Sequence, residues 1–432
     1  MTGTLTPPPA VGRQRRGVPA LLRQAQFRRY WSAQTVSLFG DQISALALPL
    51  LAVLGTDAGP AEMGYLTAAA LLPNLLFSLL LGAWVDRYPH KRRVMVLADL
   101  GRAVLVGAVP LAYLLGVLSL HQLYAVAFLT GTLAVLFEVA HSALFVTLVP
   151  RRDYVDANAL TNGSRAMSFV AGPSAGGILV QTLTAPVALL ADALSYLVSA
   201  LFLARIRPTR PAEPAPDGGT GLGIGHGLRF VARSQILRSL LLGTTTLNLF
   251  NYMFHALFVL YVSTQLGLSP GLLGLVIGVG SIGALLGAAV TGRLVRRFGI
   301  GPAALASFVL FPAPLVLVPL AGGPTPVVLG ALFAAEFLAG LGVMMMDITV
   351  GSLQVAATPE RLLARVTGAK RTVNYGIRPI GAVLGGTLGA AIGVRPTLWI
   401  ATVGAVAGLL WILPTTIPKL RELPEPDHSA AG

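Results

Sequence analysis

Apolar residues fall in long blocks along this chain, interrupted by short polar stretches. Twelve blocks of about 20 residues are readable, at roughly 30–54, 62–85, 94–117, 122–149, 158–182, 186–204, 239–262, 270–291, 302–321, 326–350, 371–392 and 396–416. In a helix about 20 residues reach across the hydrocarbon layer, roughly 30 Å thick, because each residue rises about 1.5 Å. A helix also satisfies its own backbone polar groups where no water is present. The pattern predicts an all-α integral membrane protein with twelve transmembrane helices.

Composition agrees. Hydrophobic residues make up 54% of the chain and charged residues 11%, against about 25% charge in soluble domains. So few charges cannot cover 432 residues with polar surface. The absence of cysteine excludes disulfide and thiolate chemistry. The formal charge of +14 would suit a nucleic-acid partner if it were clustered, but it follows the gaps between blocks instead. One alternating set of gaps holds Arg87, Lys91, Arg92 and Arg93; Arg151 and Arg152; six arginines from Arg205 to Arg238; Arg293, Arg296 and Arg297; and Arg361, Arg365 and Lys370. The other set holds only Arg395. Basic residues stay on the cytoplasmic side of a membrane. Both termini are therefore expected in the cytoplasm, and no nucleic-acid role is expected.

Five regions follow. Residues 1–26 read as a Pro/Arg-rich cytoplasmic tail and not as a signal peptide. A six-helix bundle over 27–204 precedes a linker over 205–237, whose stretch RPTRPAEPAPDGGTG is polar and rich in Pro and Gly. A second bundle covers 238–417, and 418–432 form a C-terminal tail.

The two bundles repeat in sequence. At an offset of about 210 residues, Pro150 falls on Pro359, Gly176-Gly177 on Gly385-Gly386, Gly82 on Gly292 and Leu38 on Leu249. A parallel duplication of six helices is a transporter architecture with its site between the halves, near the midplane. At the same offset Glu138 falls on Asp347, each twelve residues before its proline.

The stretch GAWVDRYPHKRR joins the second and third blocks and carries Gly82, Asp86, Arg87, Arg92 and Arg93. This loop resembles that of the major facilitator superfamily. LVPRRDYVDANAL, AGPSAGGIL and LADALSYLVSALFLARIR resemble the branch that contains enterobactin exporters and macrolide-type drug efflux proteins. The resemblance covers residues from about 25 to 418. It implies the two six-helix pseudo-repeats of the major facilitator fold, secondary transport by alternating access, and a multi-pass protein of the bacterial inner or plasma membrane. It also implies a cavity lined by helices 1, 4, 7 and 10, with helices 2, 5, 8 and 11 between the halves. Two features depart from the pattern: the fourth helix lacks an arginine, and Arg296 stands where Asp86 stands in the first half.

Charges inside the blocks are the candidate chemistry. Asp41, Glu138 and Asp347 fall on helices 1, 4 and 10. A charge at the bilayer centre costs about 2.5–3.5 kcal/mol on insertion scales and so faces a cavity or a partner. These acids are candidates for binding protons or substrate. His141, one turn from Glu138, is placed to share its proton. The competing reading is structural, with Arg165 and Arg378 as buried charge partners. Glu336, about three turns before Asp347, is a further candidate. Asp192 reads as structural, and Asp99 with Arg102 as a local pair. Helix 7 carries Asn248, Asn251 and His255 on one face, for cavity lining or helix packing. Its neighbours Phe250, Met253, Phe254 and Phe258 are assigned mostly to lipid contact. Loop residues Gly82, Asp86, Arg87, Arg92 and Arg93 are assigned to gating, since carboxylates and guanidinium groups at helix ends can pair in one state and part in another.

Other motifs fail their context. GVGSIG at 278–283 lies inside an apolar block without a preceding strand. Glu138 and His141 resemble a di-iron half-site, but Val350 stands where the second histidine would repeat. No metal, cofactor, ATP hydrolysis or enzymatic reaction is expected. The reading is a monomeric, proton-coupled exporter of a lipophilic small molecule such as a drug, secondary metabolite or siderophore. Its partners are that substrate, protons and the lipid bilayer. An importer or lipid transporter of the same fold, or a non-transporting receptor or assembly protein, is the alternative.

Overall fold

The computed structural model describes residues 20–207 and 224–425. Most of the N-terminal tail, the centre of the linker and the end of the C-terminal tail lie outside the described residues. Long helices dominate: α1 (Ala25–Gly55), α2 (Pro60–Arg87), α3 (Lys91–Leu114), α4 (Leu120–Leu148), α5 (Tyr154–Leu183), α6 (Ala185–Ala204), α7 (Gln235–Leu260), α8 (Pro270–Phe298), α9 (Ile300–Leu310), α10 (Thr325–Ala356), α11 (Leu363–Ile392) and α12 (Val394–Val406). Among the described residues nine helical stretches are long and apolar enough to cross a membrane. They are α1, α3, α4, α5, α6, α8, α10, α9 continued to Leu320 and α12 continued to Trp411. The remaining three, α2, α7 and α11, have 28, 26 and 30 residues. Polar side chains along α7 and α11 lower their mean hydropathy.

Helix starts and stops follow local chemistry. Pro60 and Pro270 occupy first positions, where no backbone donor is missed. Ser119 and Ser269 cap α4 and α8 by accepting from the amides of Gln122 and Leu272. Pro312 and Pro314 break α9, which continues as short 3-10 and helical turns to Leu320. A continuous span over 302–321 was the sequence expectation; the two ring nitrogens supply no helix donors and split it.

The duplication recurs in the packing. α1 packs on α5 and α6 as α7 packs on α11 and α12; α2 packs on α4 as α8 packs on α10; α3 packs on α4 as α9 packs on α10. Between these sets, α2 packs against α11 and α5 against α8. The turns before α6 and α12 are equivalent as well. Gly393 has φ 95° and Thr184 has φ 112°, a region that suits glycine. The Thr184 side chain is exposed. Thr184→Gly is expected to relieve about 1 kcal/mol of backbone strain and to raise the thermal midpoint in detergent. A lower midpoint would mean that the threonine side chain holds this turn.

At one end of the bundle lie Arg87, Lys91, Arg151, Arg296 and the short helix Ile224–Arg233, which packs on α11. At the opposite end the two sets touch through glycines. A Cβ at Gly64 would lie 2.7 Å from the Ala382 carbonyl oxygen and 2.8 Å from Gly386 Cα, and one at Gly177 would lie 3.0 Å from Gly274 Cα. Only hydrogen side chains allow these crossings. On the outer surface Val104, Leu114, Leu201 and Leu410 stand exposed, an apolar belt suited to lipid.

Candidate functional site

Four polar arrangements sit among the helices. The first ties α1, α3 and α6 together. Arg102 pairs with Asp99 one turn away, and its Nη1 lies 3.5 Å from Asp41 Oδ1. Ser199 Oγ donates to Asp99 Oδ2 at 2.6 Å, and Tyr196 Oη donates to Asp41 Oδ1 at 2.6 Å. Ser44 and Ser195 both donate to Asp192. The guanidinium sits over the rings of Tyr196 and Phe137, 4.4 and 4.6 Å from their centroids. Asp99, Arg102 and Asp192 are buried, whereas Asp41 is 36% exposed. The local Asp99–Arg102 pair read from the sequence is thus the inner part of a three-helix network with Asp41 at its open edge. Gly40 leaves room for it: a Cβ there would collide with Ser195 and Asp192.

The second arrangement surrounds Glu138. Its Oε1 lies 3.5 Å from Arg165 Nη2. Both side chains are about half exposed, so Arg165 is a partner but not a buried one. Glu138 faces a cavity of about 170 Å³ between α4 and α11, with Leu75, Val135, Arg371 and Tyr375 on its wall. Among the described residues no hydrogen bond joins His141 to Glu138. Its Nε2 hydrogen-bonds Tyr30 Oη at 2.5 Å, and its ring stacks on Tyr30 and Phe137. Tyr30 went unread because it sits at the polar edge of the first block.

The third arrangement is a cavity of about 350 Å³ between α7, α10 and α11. Asp347 lines it with Lys370, Arg371, Arg378, Asn248 and Asn374. Asn248 accepts from Arg378 Nε at 3.1 Å and donates to Asn374 Oδ1 at 3.1 Å. Arg378 lies 4.1 and 5.0 Å from the ring centroids of Tyr375 and Tyr252. Among the described residues it has no carboxylate within 4 Å, so it faces Asp347 across the cavity without a direct ion pair. In the sequence Lys370 reads as a topology signal, and Arg371 carries no assignment. The spacing of Lys370, Asn374 and Arg378, four residues apart, was the available clue to a shared face.

The fourth is an apolar cavity of about 380 Å³ nearer the glycine-packed end. Residues of α1, α2, α4, α5, α7, α8 and α10 line it, including Leu46, Leu66, Phe258, Ile277, His255 and Glu336. Glu336 Oε1 is buried without a hydrogen-bond partner among the described residues. Glu336 and Asp347, expected on one face of helix 10, thus serve different cavities. Asn251 does not join Asn248; its Oδ1 is buried and unpartnered among the described residues. Met253, Phe254 and Phe258 are buried in helix packing or line this cavity. Lipid contact is therefore the wrong assignment for them: the face of α7 that carries them is turned inward.

In the loop after α2, Arg92 Nη1 donates to the carbonyls of Ala204 and Ile206 at 3.0 and 2.5 Å, and Lys91 donates to that of Val85. These bonds bind the start of α3 to the ends of α6 and α2. Gly82 has open space around it and Arg87 is exposed. The side chain of Asp86 is outside the described residues.

Known proteins share this plan. The family model described as "Transmembrane secretion effector" matches residues 17–429. The multidrug efflux pump Tap of Mycolicibacterium fortuitum is 28% identical over 397 residues, covering 89% of this chain and 93% of that protein. The transporter YfiS of Bacillus subtilis, of major facilitator type and uncharacterized, is 27% identical over 388 residues, covering 87% and 89%. Among solved structures, a bacterial homologue of the iron transporter ferroportin in its inward-facing state superposes with TM-score 0.73 at 17% identity, covering 91% of this chain and 99% of that one. A bacterial homologue of the lysosomal transporter Spinster gives 0.67 at 13%, covering 92% and 97%. The chain is a multi-pass membrane transporter and not an enzyme; it belongs to the transmembrane secretion effector family of the major facilitator superfamily.

Proposed function

We propose that this transporter exports lipophilic small molecules from a bacterium across its plasma membrane in exchange for protons. In this reading α1–α12 span the membrane as two six-helix bundles, 27–204 and 238–417, with both termini in the cytoplasm. The arginine-rich end then faces the cytoplasm and the glycine-packed end faces outward. The observation that carries the reading is the apolar cavity, lined from both sets of helices, with one unpartnered carboxylate oxygen of Glu336 in its wall. Such a wall holds an apolar body by burial. An ionisable group left unpaired there is costly unless it serves transport.

Asp41, Glu138 and Glu336 are the acids that exchange protons, and His255 and Phe258 contact substrate. Asp347 is the internal counter-charge of Lys370 and Arg378. Asp86, Arg87, Arg92 and Arg93 are the gating residues of the cytoplasmic end, and Arg92 exchanges its present carbonyl partners when that end closes. The multidrug efflux pumps among the relatives favour export. Everted membrane vesicles test direction and coupling together. Vesicles with the transporter are expected to take up a lipophilic fluorescent dye when acidified inside by respiration, and to lose it on adding a protonophore. Uptake that ignores the protonophore, or none beyond control vesicles across a panel of such dyes, would overturn this function.

A further inference from the structure

The basic cavity carries more positive charge than the fold requires. Lys370, Arg371 and Arg378 line it against one acid, Asp347. At the repeat offset of 209 residues, read from Glu138 and Asp347, the first-half positions are Thr161, Asn162 and Phe169. There a single base, Arg165, stands opposite Glu138 at 3.5 Å. The first half is therefore built without cations at these three positions, and only the second half carries them.

Topology does not account for them all. Arg378 lies seven residues into the apolar block 371–392, about 10 Å along the helix at about 1.5 Å per residue. An arginine at that depth is costly unless it meets an anion or a cavity. Its guanidinium is fixed between Tyr375 and Tyr252 and by the hydrogen bond to Asn248. Fixed, planar donors facing a cavity suit an oxyanion. The cavity meets its neighbour at Arg371 and Tyr375, whose further wall holds Leu75, Val135 and Val139 beside the one acid, Glu138. An anionic head in the first cavity thus places an apolar body along the second.

We infer that the α7–α10–α11 cavity binds the anionic group of an otherwise apolar ligand, a carboxylate, sulfonate or phosphate monoester. Calling that ligand a substrate rests on the export reading; its binding does not. Asp347 neutralises part of the cavity when it is empty and opposes the ligand when it is full.

The test is equilibrium binding to the full chain in phosphatidylcholine nanodiscs, without any gradient. Two fluorescent probes differ by one sulfonate: 8-anilinonaphthalene-1-sulfonate and the neutral N-phenyl-1-naphthylamine. Arg378→Gln and Lys370→Gln are each expected to weaken the sulfonated probe about tenfold or more. They leave the neutral probe unchanged, which also reports an intact fold. Arg378→Lys keeps the charge and recovers part of the affinity; Asp347→Asn tightens it. Phosphatidylglycerol added to the nanodiscs separates two sources of the anion. Competition with the probe in the wild type alone identifies a lipid headgroup, and its absence identifies a solute. Equal affinity for the sulfonated probe in all variants, or a parallel loss of the neutral probe, would overturn the inference. Failure of proton-driven dye uptake would instead overturn the export reading and leave this one standing.

Discussion

Gly386→Leu is expected to trap the transporter open at the glycine-packed end. A Cβ at Gly386 would lie 2.8 Å from Gly64 Cα and 2.8 Å from the Pro60 carbonyl oxygen. Those atoms are backbone and cannot rotate away, so α2 and α11 must part. Overpacking of this kind costs about 1–3 kcal/mol, and that cost falls only on the state in which the ends touch. A bias of that size changes the ratio of two states by about 5–150-fold. The chain has no cysteine, so a single reporter can be placed without background. Thr67 lines the apolar cavity. Thr67→Cys combined with Gly386→Leu is expected to react with an impermeant maleimide from outside at least about fivefold faster than Thr67→Cys alone, with transport lost. Gly351 has open space around it, and Gly351→Leu serves as the control with unchanged labelling. Unchanged labelling in the Gly386 variant would mean that this crossing does not close the outer end.

Arg102→Gln carries the second large effect, on stability. Arg102 is 3% exposed and is the cation of a network holding Asp41, Asp99 and Asp192. Removing it strands Asp99, which is fully buried, with the carboxylate of Asp41 sharing the same lost cation. Breaking a buried pair from one side costs about 3–5 kcal/mol, enough to unfold many proteins outright. The variant is expected to express poorly and to melt well below the wild type. Adding Asp99→Asn removes the stranded charge and is expected to recover most of the loss. A double variant as unstable as the single one would show that the guanidinium acts through its stacking on Tyr196 and Phe137 instead.

Much of the fold was legible because its signals are local or periodic. Block length gave helices close to their structural bounds, and the offset that superposed Glu138 on Asp347 reappears in the helix pairing and in the shared turn geometry of Thr184 and Gly393. The site was less legible because its contacts run between helices. Nothing near Asp41 in sequence points to Tyr196, 155 residues away, or near His141 to Tyr30, 111 residues away. Helical spacing points His141 to Glu138, while its hydrogen bond goes to Tyr30 on another helix. Lys370 falls into the topology count and Arg371 into no reading at all because both stand at the edge of an apolar block. The facing direction of α7 was hidden too, since Phe254 and Met253 suit lipid and core equally well.

The most direct measurement uses proteoliposomes with a pH-sensitive dye inside and no imposed gradient. A lipophilic compound taken up by everted vesicles is added to one side, and proton movement is followed. For the wild type, substrate addition is expected to drive protons in the opposite direction. In Glu336→Gln, with the protein folded and inserted, that movement is expected to vanish, because the carboxyl in the apolar cavity no longer exchanges a proton. Substrate movement without protons in the wild type, or full coupling in Glu336→Gln, would contradict proton exchange at that cavity.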